Sequence, residues 1–187
     1  MALPRQRLVI AAEARGKLQI RKEGLDHPLD ADEVLVKTVA VAINPHDAKL
    51  LDYSFVPDAV VGGDFAGLVV AFGAGVEAEG KFAVGDRVAG VVVGMNSRRP
   101  YVGAFAEYVY ATTDFLLRLP DNMTFEDAAT IPLGAGTALY AIRELGVPTI
   151  LDQLKKARCS PRCDGDVVLV SGGSTATGTR AIQLLKL

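Results

Sequence analysis

Hydrophobic and polar positions alternate with a period of two through most of the first 115 residues. Residues 33–43, EVLVKTVAVAI, carry the clearest case: Val34, Val36, Thr38 and Ala40 fall on one face, and Leu35, Lys37, Val39 and Val41 on the other. That is the period of a half-buried strand. Residues 6–12 and 17–21 predict two shorter strands joined around Gly16, and residues 24–32 a polar loop holding Pro28. The long strand ends at Asn44-Pro45, a turn signal, and residues 46–51 predict a short helix opened by it. Glycines break residues 60–75, VVGGDFAGLVVAFGAG, into short strands with tight turns. Residues 84–93 predict a turn and a further strand, 96–100 a loop, and 103–111 another alternating strand. Many short strands with glycine at the corners describe an all-β barrel of roughly 110 residues.

The pattern changes near Pro120. Thr124 opens T-x-x-D, a form of capping box with Asp127 in the usual Glu place, and predicts a helix over 125–130 that Pro132 breaks. Residues 136–145 predict a second helix, with Ala138, Ile142 and Leu145 on one side, and 146–164 an irregular polar loop. Residues 167–170, VVLV, read as a short buried parallel strand. The turn Ser171-Gly172-Gly173-Ser174-Thr175-Ala176-Thr177-Gly178 follows, then a helix over 180–187 with Ile182 and Leu185 on one face. Strand, glycine turn and helix open a dinucleotide-binding fold, because the turn leaves backbone N–H groups and a helix N-terminus free for a pyrophosphate. The spacing Gly-Gly-x-x-x-x-Gly is not the G-x-G-x-x-G fingerprint, so an ordinary strand-to-helix turn stands beside that reading. A barrel followed by helices and a parallel strand means two structural layers.

Composition narrows the class. The chain has 187 residues, 50% hydrophobic and 22% charged, with a net charge of −2, so it is an ordinary globular sequence. Without a basic run it is read as binding neither nucleic acid nor membrane. Its N-terminus lacks the plan of a signal peptide. Cys159 and Cys163 sit in the polar loop and read as free thiols of a cytoplasmic protein.

The order of motifs resembles the medium-chain dehydrogenases/reductases, which join a GroES-like barrel to a Rossmann domain. The motifs are Val34–Lys37 leading to Asn44-Pro45-x-Asp47, Gly62-x-Asp64-Phe65-Ala66-Gly67, Gly85-Asp86-Arg87-Val88, Gly103-Ala104-Phe105-Ala106-Glu107-Tyr108, Leu119-Pro120 and Gly172-Gly173-Ser174-Thr175-Ala176-Thr177. The fold class implied is mainly β with α/β: a GroES-like β-barrel over residues 1–120, then connecting helices and the beginning of a Rossmann domain over 121–187. Within the superfamily, GGSTAT and NPHDAK are most similar to fungal trans-acting enoyl reductases that partner polyketide synthases. That resemblance implies NADPH-dependent reduction of an α,β-unsaturated thioester on the synthase's acyl carrier, by a monomer or homodimer.

Site residues follow from the same resemblance. His46, Asp47, Ala48 and Lys49 are implied at the NADPH nicotinamide-ribose region, and Ser174, Thr175, Ala176 and Thr177 at its phosphates. Lys49 and Thr137 are the implied catalytic residues. Ala138, Leu139, Tyr140, Ala141, Ile142, Arg143, Glu144 and Leu145 are implied along the acyl pocket. Each has a plainer reading beside it. Lys49 reads equally as a solvated helix lysine, Asp47 and Ser174 as helix caps, and His46 as a surface histidine. The small residues Gly134, Ala135, Gly136 and Ala138 also suit close helix packing. Zinc-dependent relatives carry a Cys where this chain has Asn44 and a His-Glu pair where it has Gly63-Asp64, so no metal is expected.

Two further readings stay open: a zinc-free quinone or alkenal reductase acting on free small molecules, and an inactive product. The second arises because a dinucleotide fold needs several βαβ units, whereas only one strand and helix follow the barrel. The chain is expected to be a fragment or a truncated product, showing no saturable NADPH binding by itself.

Overall fold

The computed structural model describes residues 3–147 and 167–186, in two compact units, Met1–Pro132 and Leu133–Leu187. The predicted loop at 146–164 and both cysteines fall mainly or wholly outside the described residues.

In the first unit, β1 (Gln6–Ala14) and β2 (Lys17–Gly24) form an antiparallel hairpin that turns at Gly16, φ +68°. β3 (Glu33–Ala42) belongs to a five-stranded antiparallel sheet. Its other members are β4 (Asp64–Phe72), β5 (Arg87–Val91), β6 (Tyr108–Thr112) and β7 (Leu116–Arg118), in the order β6-β3-β4-β5-β7. Single bridges from Val9 to Ala106 and from Ala11 to Val60 tie the hairpin to the sheet's connections.

The even-numbered face of β3 points inward as its period predicts. Val34 and Val36 pack with Phe65, Val69, Val88 and Val109, each fully buried. Burying one such side chain stabilises the fold by about 1.5–3 kcal/mol. Leu35, on the opposite face, is also buried, because Val102, Tyr108 and Tyr110 cover it.

The helix α1 (Pro45–Tyr53) follows β3, and α2 (Ala74–Glu79) follows β4. After β7 comes α3 (Phe125–Ala129), capped by Thr124, whose hydroxyl oxygen accepts from the Asp127 N–H at 3.1 Å. α3 packs Ala128 and Ala129 on Ala66, Ala89 and Leu119. Arg87 secures this segment: it donates to the carbonyls of Pro120, Asp121 and Met123 and lies over the Phe125 ring, 4.6 Å from its centroid.

The second unit holds α4 (Pro132–Glu144), whose first residue closes the preceding unit, and α5 (Ala176–Leu185). Gly134, Ala138 and Ile142 form the buried stripe of α4, at four-residue spacing. α5 lies close to Gly134: a Cβ there would make ordinary contact, at 3.7 Å, with the Ala176 carbonyl and Arg180 Cγ.

Several elements differ from the sequence expectation. Residues 60–75 are not a set of short strands: β4 runs unbroken for nine residues and α2 follows it. Gly67 is no corner. It is where β3 crosses so closely that a Cβ would meet the Lys37 carbonyl oxygen at 2.1 Å, beside a register shift between Thr38 and Ala40. Strands β5 and β6 are shorter than predicted, and the 103–107 stretch lies outside β6. Pro132 breaks α3 and also starts α4, four residues before the predicted start, since a first helical position needs no N–H donor. α5 likewise begins at Ala176 rather than 180. The expected strand at 167–170 does not form: Val167 is 94% and Leu169 91% exposed. A strand requires a neighbouring backbone to satisfy its N–H and C=O groups, and among the described residues none pairs with this stretch.

Candidate functional site

In the first unit the candidate site is built around Asn44. Its backbone is extended (φ −114°, ψ 151°), and Pro45 takes the first helical position, where its fixed φ suits the helix. The Asp47 N–H donates to the Asn44 carbonyl at 3.0 Å, and the Asn44 N–H donates back to Asp47 Oδ2 at 2.7 Å. Asp47 is therefore a cap as well as part of the implied cofactor segment. It is 8% exposed, and burial pushes its carboxyl above the ordinary value. The N–H groups of Asn44 and Gly63 and the charge of His46 offset that in part.

His46, Ala48 and Lys49 occupy the exposed side of α1. Among the described residues Lys49 makes no hydrogen bond or ion pair.

Asn44 makes a second contact that sequence reasoning missed. Its Nδ2 donates to Asp64 Oδ2 at 2.9 Å. Asp64 is the first residue of β4, paired with Ala42 of β3 and Val91 of β5, and 1% exposed. Thus Asn44 and Asp64, the places compared with zinc ligands in the sequence, are bonded to each other. Twenty residues separate them, and no local signal links them.

In the second unit the glycine turn closes on itself. Gly172 has φ +73°, a left-handed conformation that glycine adopts without steric cost. Its carbonyl accepts from the Thr175 N–H at 3.0 Å and from the Thr175 hydroxyl at 2.8 Å. The same hydroxyl oxygen accepts from the Gly178 N–H at 3.1 Å, and Thr179 Oγ1 donates to the Gly173 carbonyl at 3.1 Å. The helix cap is therefore Thr175 and not Ser174, the candidate offered by the sequence. Ser174 and Ala176 are exposed and Thr177 is half-buried. Among the described residues the N–H groups of Ala176 and Thr177 have no acceptor, which is the arrangement that receives an anion at a helix N-terminus.

The implied substrate segment is helical through Glu144, with Leu145 in the turn that follows, so its residues point in different directions. Ala138 and Ile142 are buried, Leu139 is half-buried, and Tyr140, Ala141, Arg143, Glu144 and Leu145 are exposed. Thr137 is exposed, with its hydroxyl donating to the Leu133 carbonyl at 2.7 Å.

Residues 30–121 match the model of the alcohol dehydrogenase GroES-like domain. A trans-enoyl reductase of Trichoderma harzianum is 52% identical over 185 residues, covering 98% of this chain and 50% of that protein. A trans-enoyl reductase of Penicillium crustosum is 54% identical over 189 residues, covering 99% and 50%. Among solved structures, a mycobacterial protein complexed with NADPH is 26% identical with a TM-score of 0.67, over 95% of this chain and 48% of that one. The chain spans about half the length of the curated relatives it matches.

Proposed function

From the premise that this chain belongs to the medium-chain dehydrogenases/reductases, its GroES-like domain at residues 30–121, we propose that it serves a trans-acting enoyl reductase. The reaction is NADPH-dependent reduction, in the cytoplasm, of an α,β-unsaturated acyl thioester held on the acyl carrier of a polyketide synthase. The observation that carries the reading is the 52–54% identity to trans-enoyl reductases along almost the whole chain. On this reading residues 1–120 form the substrate and catalytic domain, and 121–187 contribute to NADPH binding.

The glycine turn fits a dinucleotide. A side chain at Gly178 would fill the space against the Gly172 carbonyl, and two N–H groups are without acceptors. The N–H groups of Ala176 and Thr177 and the Ser174 hydroxyl would hold phosphate oxygens. The Thr175 hydroxyl, already donating to Gly172 and accepting from Gly178, supports the turn instead.

NADPH supplies hydride to the β-carbon of the enoyl group. Charge then builds on the thioester carbonyl oxygen, which needs a preorganised donor, and the α-carbon takes a proton. Lys49 places a cation on the exposed side of α1 for the cofactor ribose. The His46 imidazole, one residue from the cap, can deliver the proton. Thr137 and the exposed residues of α4 present the acyl-binding surface.

The test uses the protein expressed from its complete reading frame, with a crotonyl thioester on acyl carrier protein and NADPH. Saturation of the double bond, followed by mass spectrometry, supports the reading. Turnover of quinones with none of the thioester overturns it in favour of a quinone reductase.

A further inference from the structure

We infer that Asp64 is a positioning residue: it holds the Asn44 amide and thereby fixes the exposed side of α1, which carries His46 and Lys49. Asn44 directs its backbone N–H and its side-chain N–H to two different buried carboxylates. The first goes to Asp47 Oδ2 at 2.7 Å, within α1 itself, and the second to Asp64 Oδ2 at 2.9 Å, in the sheet. Asp64 is anchored on both sides, between Ala42 of β3 and Val91 of β5. Asn44 therefore rivets the helix start to the centre of the sheet.

At that end the Gly63 N–H also reaches the Asp47 carboxylate, while Ile43, the link from β3, is 82% exposed. At the far end, Leu51 packs among Ala12, Ala59, Val61 and Met95. One end of α1 is held by apolar packing, and the other by the Asn44–Asp64 bond together with the Gly63 N–H on Asp47. His46 and Lys49 form no hydrogen bonds or ion pairs of their own among the described residues, so they inherit their positions from the helix. Reactions that depend on near-attack geometry are sensitive to such placement. The catalytic consequence rests on the reductase reading above; the clamp rests on the geometry alone.

A swap tests it. Asn44→Asp sets a carboxylate against Asp64, whereas Asn44→Asp with Asp64→Asn restores the bond with donor and acceptor exchanged. In the protein from its complete reading frame, N44D is expected to speed amide hydrogen exchange in α1 and lower kcat, each by about tenfold or more, with the thioester KM changed less. The double variant is expected to recover both to within about threefold, a coupling that independent sites do not show. A double variant as impaired as N44D overturns the proposal, and so does an Asn44 side-chain amide in the wild-type protein exchanging at the rate of a free amide. Recovery of exchange protection in a protein that never reduces enoyl thioesters supports the clamp and removes the reductase reading instead.

Discussion

Gly178 stands so close to Gly172 that a Cβ on it would meet the Gly172 carbonyl oxygen at 2.2 Å. The obstacle is backbone, which cannot rotate away as a side chain can. The carbonyl is also the acceptor for both Thr175 donors. Gly178→Ala is therefore expected to open the turn. Under the reductase reading, NADPH affinity of the full-length protein by fluorescence titration should fall by about tenfold or more, since the N–H groups proposed to hold phosphate lose their arrangement. Unchanged affinity contradicts the phosphate role of the turn.

The caps can be told apart by stability. Thr175→Ala removes the side-chain acceptor of the Gly178 N–H and should cost about 1 kcal/mol in chemical denaturation. Thr175→Ser should cost little. Ser174→Ala, on an exposed residue that does not cap, should stay within about 0.5 kcal/mol.

Arg7 is the largest of the fully buried side chains. It pairs with Glu23, donates to the carbonyls of Tyr108 and Tyr101, and lies 5.0 Å from the Tyr110 ring centroid. Arg7→Ala leaves the Tyr101 and Tyr108 carbonyls without this donor, while Glu23 keeps its pair with Arg21. A loss of about 2–4 kcal/mol is expected from the unsatisfied carbonyls and the emptied space, and urea denaturation measures it.

Asp47 gives a pH dependence with a defined sign. Its folded-state pKa is raised above the ordinary 3.8, with burial as the main cause. The folded chain then binds more protons than the unfolded one across that window. Its contribution to stability is complete below 3.8 and is lost as pH rises through the raised value. Asp47→Asn should remove this part of the slope, so wild type and variant converge or cross as pH increases. Parallel stability curves from pH 3 to 7, about the span of the carboxylate titration, would refute it.

Lys49 separates function from folding. It is exposed and unpaired among the described residues, so Lys49→Ala should change stability by less than about 0.5 kcal/mol. Under the reductase reading it should raise the NADPH KM about tenfold. A variant with wild-type kinetics leaves Lys49 as a solvated surface lysine.

Much of the barrel was legible because the information was local. The two-residue period of β3, the turn at Gly16, the Asn44-Pro45 helix start and the T-x-x-D cap each involve neighbours a few positions apart. The candidate segments on α1 and the glycine turn came from motif resemblance, and which of their side chains are exposed came from the fold. Helical geometry distributes residues 138–144 around α4, a division invisible to a contiguous motif.

The sequence alone determined the two-residue period of β3, where α1 and α3 begin, and the order of motifs that carries the resemblance to the superfamily, since each is legible over short stretches of chain. Tertiary structure decided that β4 runs straight through Gly67, that Arg7 is buried, that residues 167–170 form no strand, and that Asn44 holds Asp64. These outcomes depend on which backbone or charge arrives from tens of residues away, and nothing in a residue's immediate neighbours states what will be packed against it.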